Sequence, residues 1–233
     1  MARVDKVDNS LKKRLERKEN KRSENTRDKR VYFLIVCEGE KTEPNYFKSF
    51  KKELPPGTVK IDLDGTGYNT IRLIEHAISK RDKSGQKYDR VWAVFDRDGF
   101  SEEHFNGAIE KASVNKINCA WSNEAFELWF LLHFQYVNNC MERSKYKSYL
   151  GREIRKSSGM DNYEYKKNDP QTYHMLKQYG NQKQAMERAK KLINNFTCTR
   201  YAIHNPCTRV HELIEELLNP QHILKKIREE KGE

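Results

Sequence analysis

Val-Tyr-Phe-Leu-Ile-Val-Cys-Glu-Gly-Glu, residues 31–40, decides the fold. Residues 31–36 are an unbroken apolar run rich in β-branched and aromatic side chains. A strand that is hydrophobic at every position is buried on both faces, which predicts a parallel sheet covered by helices on each side. Cys37 reads as the last core residue of that strand. The run then stops at Glu38, Gly39 and Glu40. In open α/β sheets ligands bind outside the carboxyl ends of the strands, so Glu38 stands where chemistry is expected. A second run of the same kind, VWAVF at 91–95, ends in Asp96, Arg97, Asp98 and Gly99. Two buried strands thus deliver three carboxylates, Glu38, Asp96 and Asp98, to one rim.

Working outward, Lys41-Thr42-Glu43-Pro44 predicts a helix start with proline at an early position, and Tyr46, Phe47 and Phe50 form its buried face. Val59, Ile61 and Leu63 alternate with polar residues as a more exposed strand. A helix follows with Ile71, Ile74 and Ile78 inward. After Gly99, Ser101 caps a helix that buries Phe105, Ile109 and Ala112. Residues 117–121 are a fourth strand, and residues 123–134, NEAFELWFLLHF, are apolar nearly all round and predict a deeply packed helix leaving the rim. Strand alternating with helix throughout implies an α/β, Rossmann-like, doubly wound parallel sheet. Residues 135–195 read as a basic, mainly helical insertion. In residues 196–233, Asn205 and Pro206 open a helix whose Val210, Leu213, Ile214 and Leu217 pack back on the sheet.

Charge is distributed unevenly in a chain of net charge +11. Residues 1–30, a polar tail with no apolar stripe, hold 12 Lys and Arg against 6 Asp and Glu; residues 140–191 hold 13 against 6. The remainder is slightly acidic. Basic arms around a carboxylate cluster suit a metal-dependent enzyme acting on a polyanion, since the arms neutralise phosphates. Lys41, Lys145, Lys147, Arg152 and Arg155 are the candidate phosphate contacts. No apolar run approaches the roughly 18 residues of a membrane span, and the amino terminus lacks a secretory apolar segment. Five cysteines without a CxxC pair fit a reducing compartment, so a cytoplasmic protein with no membrane partner is expected.

Mg²⁺ or Mn²⁺ takes oxygen ligands and keeps several waters, so Glu38, Asp96 and Asp98 suffice as a site. Asp96 and Asp98 point the same way if the segment is extended. Gly39, lacking a Cβ, lets the chain leave the strand sharply and a phosphate approach. Glu127 is a fourth candidate catalytic carboxylate, because a carboxylate in an apolar helix is costly unless paired or bound to metal. Glu40, Glu124 and His133 are candidates for supporting positions around the metal. Asp96 to Gly99 does not follow the EF-hand spacing. Cys198, His204, Cys207 and His211 are zinc-ligand types, but their spacing matches no zinc pattern.

Glu38-Gly39 after one buried strand and Asp96-x-Asp98 after another resemble the Toprim domain of topoisomerases, bacterial primases and OLD-family nucleases. IVCEGEKTEPNYF, VFDRDGF, SNEAFELWFLLHF and NPCTRVHELIEEL resemble, more narrowly, the RloB-like family of small Toprim proteins from restriction and phage-abortive-infection loci. The resemblance covers nearly all of the chain except its tail. It departs at Asn123-Glu124-Ala125, where Asn-Pro is the pattern, and at Cys207, which stands in place of Ser. It implies a Mg²⁺-dependent nuclease of anti-phage defence, acting on DNA or RNA, with an ATPase partner from the same locus. A tRNA-cutting toxin is one alternative. An inactive module docked on the ATPase is another.

Overall fold

The computed structural model describes residues 30–231. Residues 1–29 of the basic tail lie outside them. Five strands form one sheet in the order β2-β1-β3-β4-β5, with β1 at Val31–Cys37, β2 at Val59–Gly65, β3 at Arg90–Asp96, β4 at Asn118–Asn123 and β5 at Cys207–Thr208. The first four run parallel, with Ile35 opposite both Leu63 and Trp92 and Val94 opposite Ala120. β5 is antiparallel, pairing Ser122 with Thr208. The sheet is therefore mostly, rather than wholly, parallel.

The continuous apolar strands acquire their two covered faces. Phe33 and Ile35 point into one core with α1 (Thr42–Lys51), α4 (Glu127–Leu132) and α8 (Val210–Leu218). Leu34 and Val36 point into the other with α2 (Thr70–Lys83) and α3 (Glu102–Val114). In α2 the innermost residues are Leu73, Ile74 and Ala77, while Ile71 and Ile78 are only partly buried at its sides. Ser101 caps α3 as expected, its Oγ accepting the His104 N–H at 3.3 Å.

The apolar stretch at 123–134 divides differently from expectation. β4 continues to Asn123, whose Nδ2 donates to the Ala202 carbonyl, and the helix begins only at Glu127. Hydrophobicity on every side is common to a buried strand end and a buried helix, so it could not place the boundary. Residues 205–206 likewise precede β5 instead of opening a helix, and α8 starts at Val210 with Val210, Leu213, Ile214 and Leu217 all buried.

α5 (Arg143–Ser158), α6 (Thr172–Tyr179), α7 (Gln182–Ile193) and α9 (Pro220–Lys231) complete the chain. Tyr146 and Leu150 of α5, Leu176 of α6, and Ala189 and Leu192 of α7 belong to the same buried cluster as Phe33 and Ile35. Residues 31–231 form one compact unit. No helix among the described residues is long and apolar enough to cross a membrane.

Candidate active site

Because β1 sits between β2 and β3, the chain leaves its carboxyl end in one direction and β3 in the other, opening a crevice between them. A cleft of about 530 Å³ occupies that switch point. Its lining carries five carboxylates, Glu38, Glu40, Glu43, Asp96 and Asp98, and three cations, Lys41, Arg143 and Lys167.

Glu38 follows β1 directly, and its Oε2 accepts the backbone N–H of Asp96 at 3.1 Å. The end of one strand thus fixes the carboxylate of the other. Burial pushes the Glu38 carboxyl up to about 7; the Asp96 N–H opposes the shift, and the charges of Glu43 and Asp98 add to it. Asp96, the last residue of β3, is 5 % exposed, and its Oδ1 is buried without a hydrogen-bond partner. Burial raises its pKa well above the usual carboxylate range, and Glu43, Glu127 and Glu38 push the same way.

Asp98 lies beyond the strand in a turn with φ of 48°, so strict strand alternation does not apply to it. It is nevertheless joined to Asp96 by Arg143, whose guanidinium stands 3.6 Å from Asp96 Oδ2 and 2.5 Å from Asp98 Oδ1. Glu127, 6 % exposed, accepts the Tyr165 hydroxyl at 3.2 Å. Glu43, in the first turn of α1, is also buried, and desolvation followed by the charge of Glu127 raises its pKa.

Gly39 has a different reason from the one its sequence suggested. The space of its missing Cβ is taken by the carboxylate of Glu43. Glu40 leans against Gly67, where an added Cβ would meet its Oε1 at 2.9 Å. Glu124 borders the turn, its carbonyl accepting the Asp98 N–H at 3.4 Å and its Oε1 accepting from Asn205. His133 is outside the cleft: its buried ring donates from Nδ1 to the Trp129 carbonyl at 2.9 Å, and burial lowers its pKa to about 4. Lys41 lines the cleft. Lys145, Lys147, Arg152 and Arg155 lie further along α5, with Lys145 near Glu142 and Arg152 on Glu153.

The structure thus brings Glu38, Asp96, Asp98 and Glu127 together and adds Glu43, Arg143 and Lys167, which sequence reasoning missed. Glu43 had one legible signal, a carboxylate four residues after the glycine that makes room for it, in the first turn of the helix that follows. The zinc-type residues keep separate company. Cys198 Sγ is 3.5 Å from His204 Nε2, but the His204 ring stacks on Phe196 at 4.4 Å and Cys207 lies inside β5.

The donor set fits a hard divalent cation in its chemistry: carboxylate oxygens in excess over cations, with one buried oxygen lacking any partner. As placed, no three His, Cys, Asp or Glu side chains among the described residues form a group that could hold one ion. Arg143 supplies the positive charge between Asp96 and Asp98.

Fold and cleft together define an α/β protein with an acidic cleft at the topological switch point of its mostly parallel sheet. The model of the RloB-like protein family matches residues 33–217. The chain belongs to the RloB-like family. No curated protein and no solved structure matches it.

Proposed function

We propose that this RloB-like protein is a Toprim-type, Mg²⁺-dependent nuclease that cleaves phosphodiester bonds of DNA or RNA. The observation that carries the reading is the gathering of Glu38, Asp96 and Asp98 at the switch point, with Asp96 Oδ1 buried and unpartnered. These three would hold Mg²⁺ or Mn²⁺. The bound cation would supply an activated water and charge stabilisation for the leaving oxygen.

The chain's own groups have distinct tasks. With Oε2 held by the Asp96 N–H, Glu38 keeps Oε1 for the cation, and because its carboxyl titrates at about 7 without the ion, binding would release a proton near neutrality. Lys41 and Lys167 bring positive charge to the cleft and offset the repulsion between its carboxylates and a phosphate. Arg143 has a planar fork suited to a phosphodiester once it leaves Asp98. An anti-phage role and an ATPase partner from the same locus belong to the proposal through the family resemblance.

A second reading is favoured by Arg143 itself: a cleft whose acids are already balanced by an internal cation suits a docking module that cuts nothing. One experiment separates the two. Purified protein is incubated with plasmid DNA, single-stranded DNA or total tRNA, each with Mg²⁺, Mn²⁺ or EDTA, beside Asp96→Asn. Metal-dependent cutting by the wild type and none by the folded variant is expected. Absence of cutting in every arm favours the docking module, and equal cutting by the variant places the chemistry elsewhere.

A further inference from the structure

β2 stands at one end of the sheet, with β1 on one side and no strand of the described residues on the other. Its bonds to β1 show which backbone groups face the open side. The Thr58 carbonyl accepts from the Val31 N–H, and the Thr66 N–H donates to the Cys37 carbonyl. Backbone direction alternates along a strand, so residues 58, 60, 62, 64 and 66 turn their N–H and C=O toward β1, while Val59, Ile61 and Leu63 turn theirs outward. The Ile61 carbonyl has the same parity, since it accepts the Lys51 ammonium at 2.9 Å instead of a β1 amide. None of the three outward N–H groups has a partner among the described residues.

A second copy of the chain, related by a two-fold axis normal to the sheet, would meet this edge antiparallel. Outward residues then pair with outward residues, which limits the registers. Centred on Ile61, the ladder sets Val59 against Leu63, Ile61 against itself and Lys60 against Asp62 on both sides of the axis. Lys60 and Asp62 fall at the positions that exchange no hydrogen bonds, where opposing side chains stand closest. Moving the axis by one residue would set Lys60 against Lys60 or Asp62 against Asp62. The charges therefore select one register.

Both charges remain uncompensated within the chain. Lys60 is exposed and lies over the Tyr32 ring at 5.6 Å. Asp62 accepts the Tyr88 hydroxyl at 2.6 Å. Neither forms an ion pair among the described residues.

We propose that β2 is a self-association edge, at which two copies of this chain join their five-stranded sheets along Val59–Leu63 with each Lys60 facing the other copy's Asp62. The joined strands run in opposite directions, so the two acidic clefts open at opposite ends of the combined sheet. Lys51 competes with association, because the Ile61 carbonyl must pass from its ammonium to the Ile61 N–H of the second copy. The inference does not depend on reading the cleft as a nuclease site.

The test is sedimentation velocity of the full chain over a wide range of concentration, with amide exchange followed by NMR. A reversible dimer is expected, in which the amides of Val59, Ile61 and Leu63 exchange more slowly than in the monomer. Lys60→Asp and Asp62→Lys should each weaken association about tenfold, because each sets like charges against one another on both sides of the axis. Mixed together, the two variants should associate about as tightly as the wild type, a rescue that damage to either fold would not give. Lys51→Met should tighten the dimer, since an edge lysine opposes strand pairing. A wild type that stays monomeric overturns the proposal, and dimerisation of Lys51→Met alone would then mark a guarded edge. A dimer unchanged in both charge variants uses another surface and overturns it too. Slow outward amides in a monomer would overturn it by showing that the chain covers its own edge.

Discussion

Glu43 occupies the volume that a side chain at position 39 would need: a Cβ built on Gly39 lies 2.8 Å from Glu43 Cδ. The glycine after β1 and the carboxylate in the first turn of α1 are one structural unit. Gly39→Ala should therefore destabilise the protein by about 1–3 kcal/mol, the usual cost of overpacking. Glu43→Ala in the same chain should restore most of the loss, since it removes the obstruction together with one buried charge. Urea unfolding of the two single variants and the double variant measures the coupling. An additive pair would show that the two positions do not compete for space.

Arg143 is the cation between Asp96 and Asp98. Arg143→Gln should cost about 1–2 kcal/mol at neutral pH without divalent ions, limited because Asp98 is exposed and screened. Mg²⁺ should then raise the melting temperature of the variant more than that of the wild type, because the ion no longer competes with a guanidinium and binding to the folded state stabilises it. Thermal unfolding with and without Mg²⁺ is the measurement. Identical Mg²⁺ shifts would mean that Arg143 and the ion do not share a place.

Glu38 makes the stability depend on pH with a definite sign. Its carboxyl titrates near 7 when folded, against an ordinary 4.5. Between those values the folded state holds a proton that the unfolded state has released. Rising pH therefore erodes stability through that window, and the loss is complete above about 7. Glu38→Gln has no proton to lose and keeps an acceptor for the Asp96 N–H. Its melting temperature should match the wild type near pH 4.5, pull ahead as pH rises to 7, and hold a constant lead above. Asp96 titrates in both proteins, and because the Glu38 charge also raises the Asp96 carboxyl, the difference reports Glu38 together with its repulsion of Asp96. A difference independent of pH would show that Glu38 is not a buried acid.

The parts of the molecule legible in sequence are those whose signal is local. Continuous apolar runs located β1 and β3, and the abrupt carboxylates after them located Glu38 and Asp96, because a strand's end and its burial are both visible in a few consecutive residues. The face of α8 and the Ser101 cap were readable for the same reason. β5 was not, since two residues carry no period. Arg143 was hidden in a basic stretch where nothing local distinguishes the arginine that reaches back to β3 from those that face water. Lys145 and Arg152 looked equivalent to Lys147 until the helix placed them around its circumference beside Glu142 and Glu153.

The core against which Phe33 and Ile35 pack is completed by Tyr146, Leu192 and Leu213, contributed by the later half of the chain. The order of synthesis gives this arrangement a meaning of its own. A nascent chain that has emerged only through Asp98 already carries the acids of the cleft, but neither Arg143 nor the helices that cover β1. The cover of β1 is complete only when α8 has left the ribosome, so a chain truncated before that point leaves the apolar face of Phe33 and Ile35 without part of its packing.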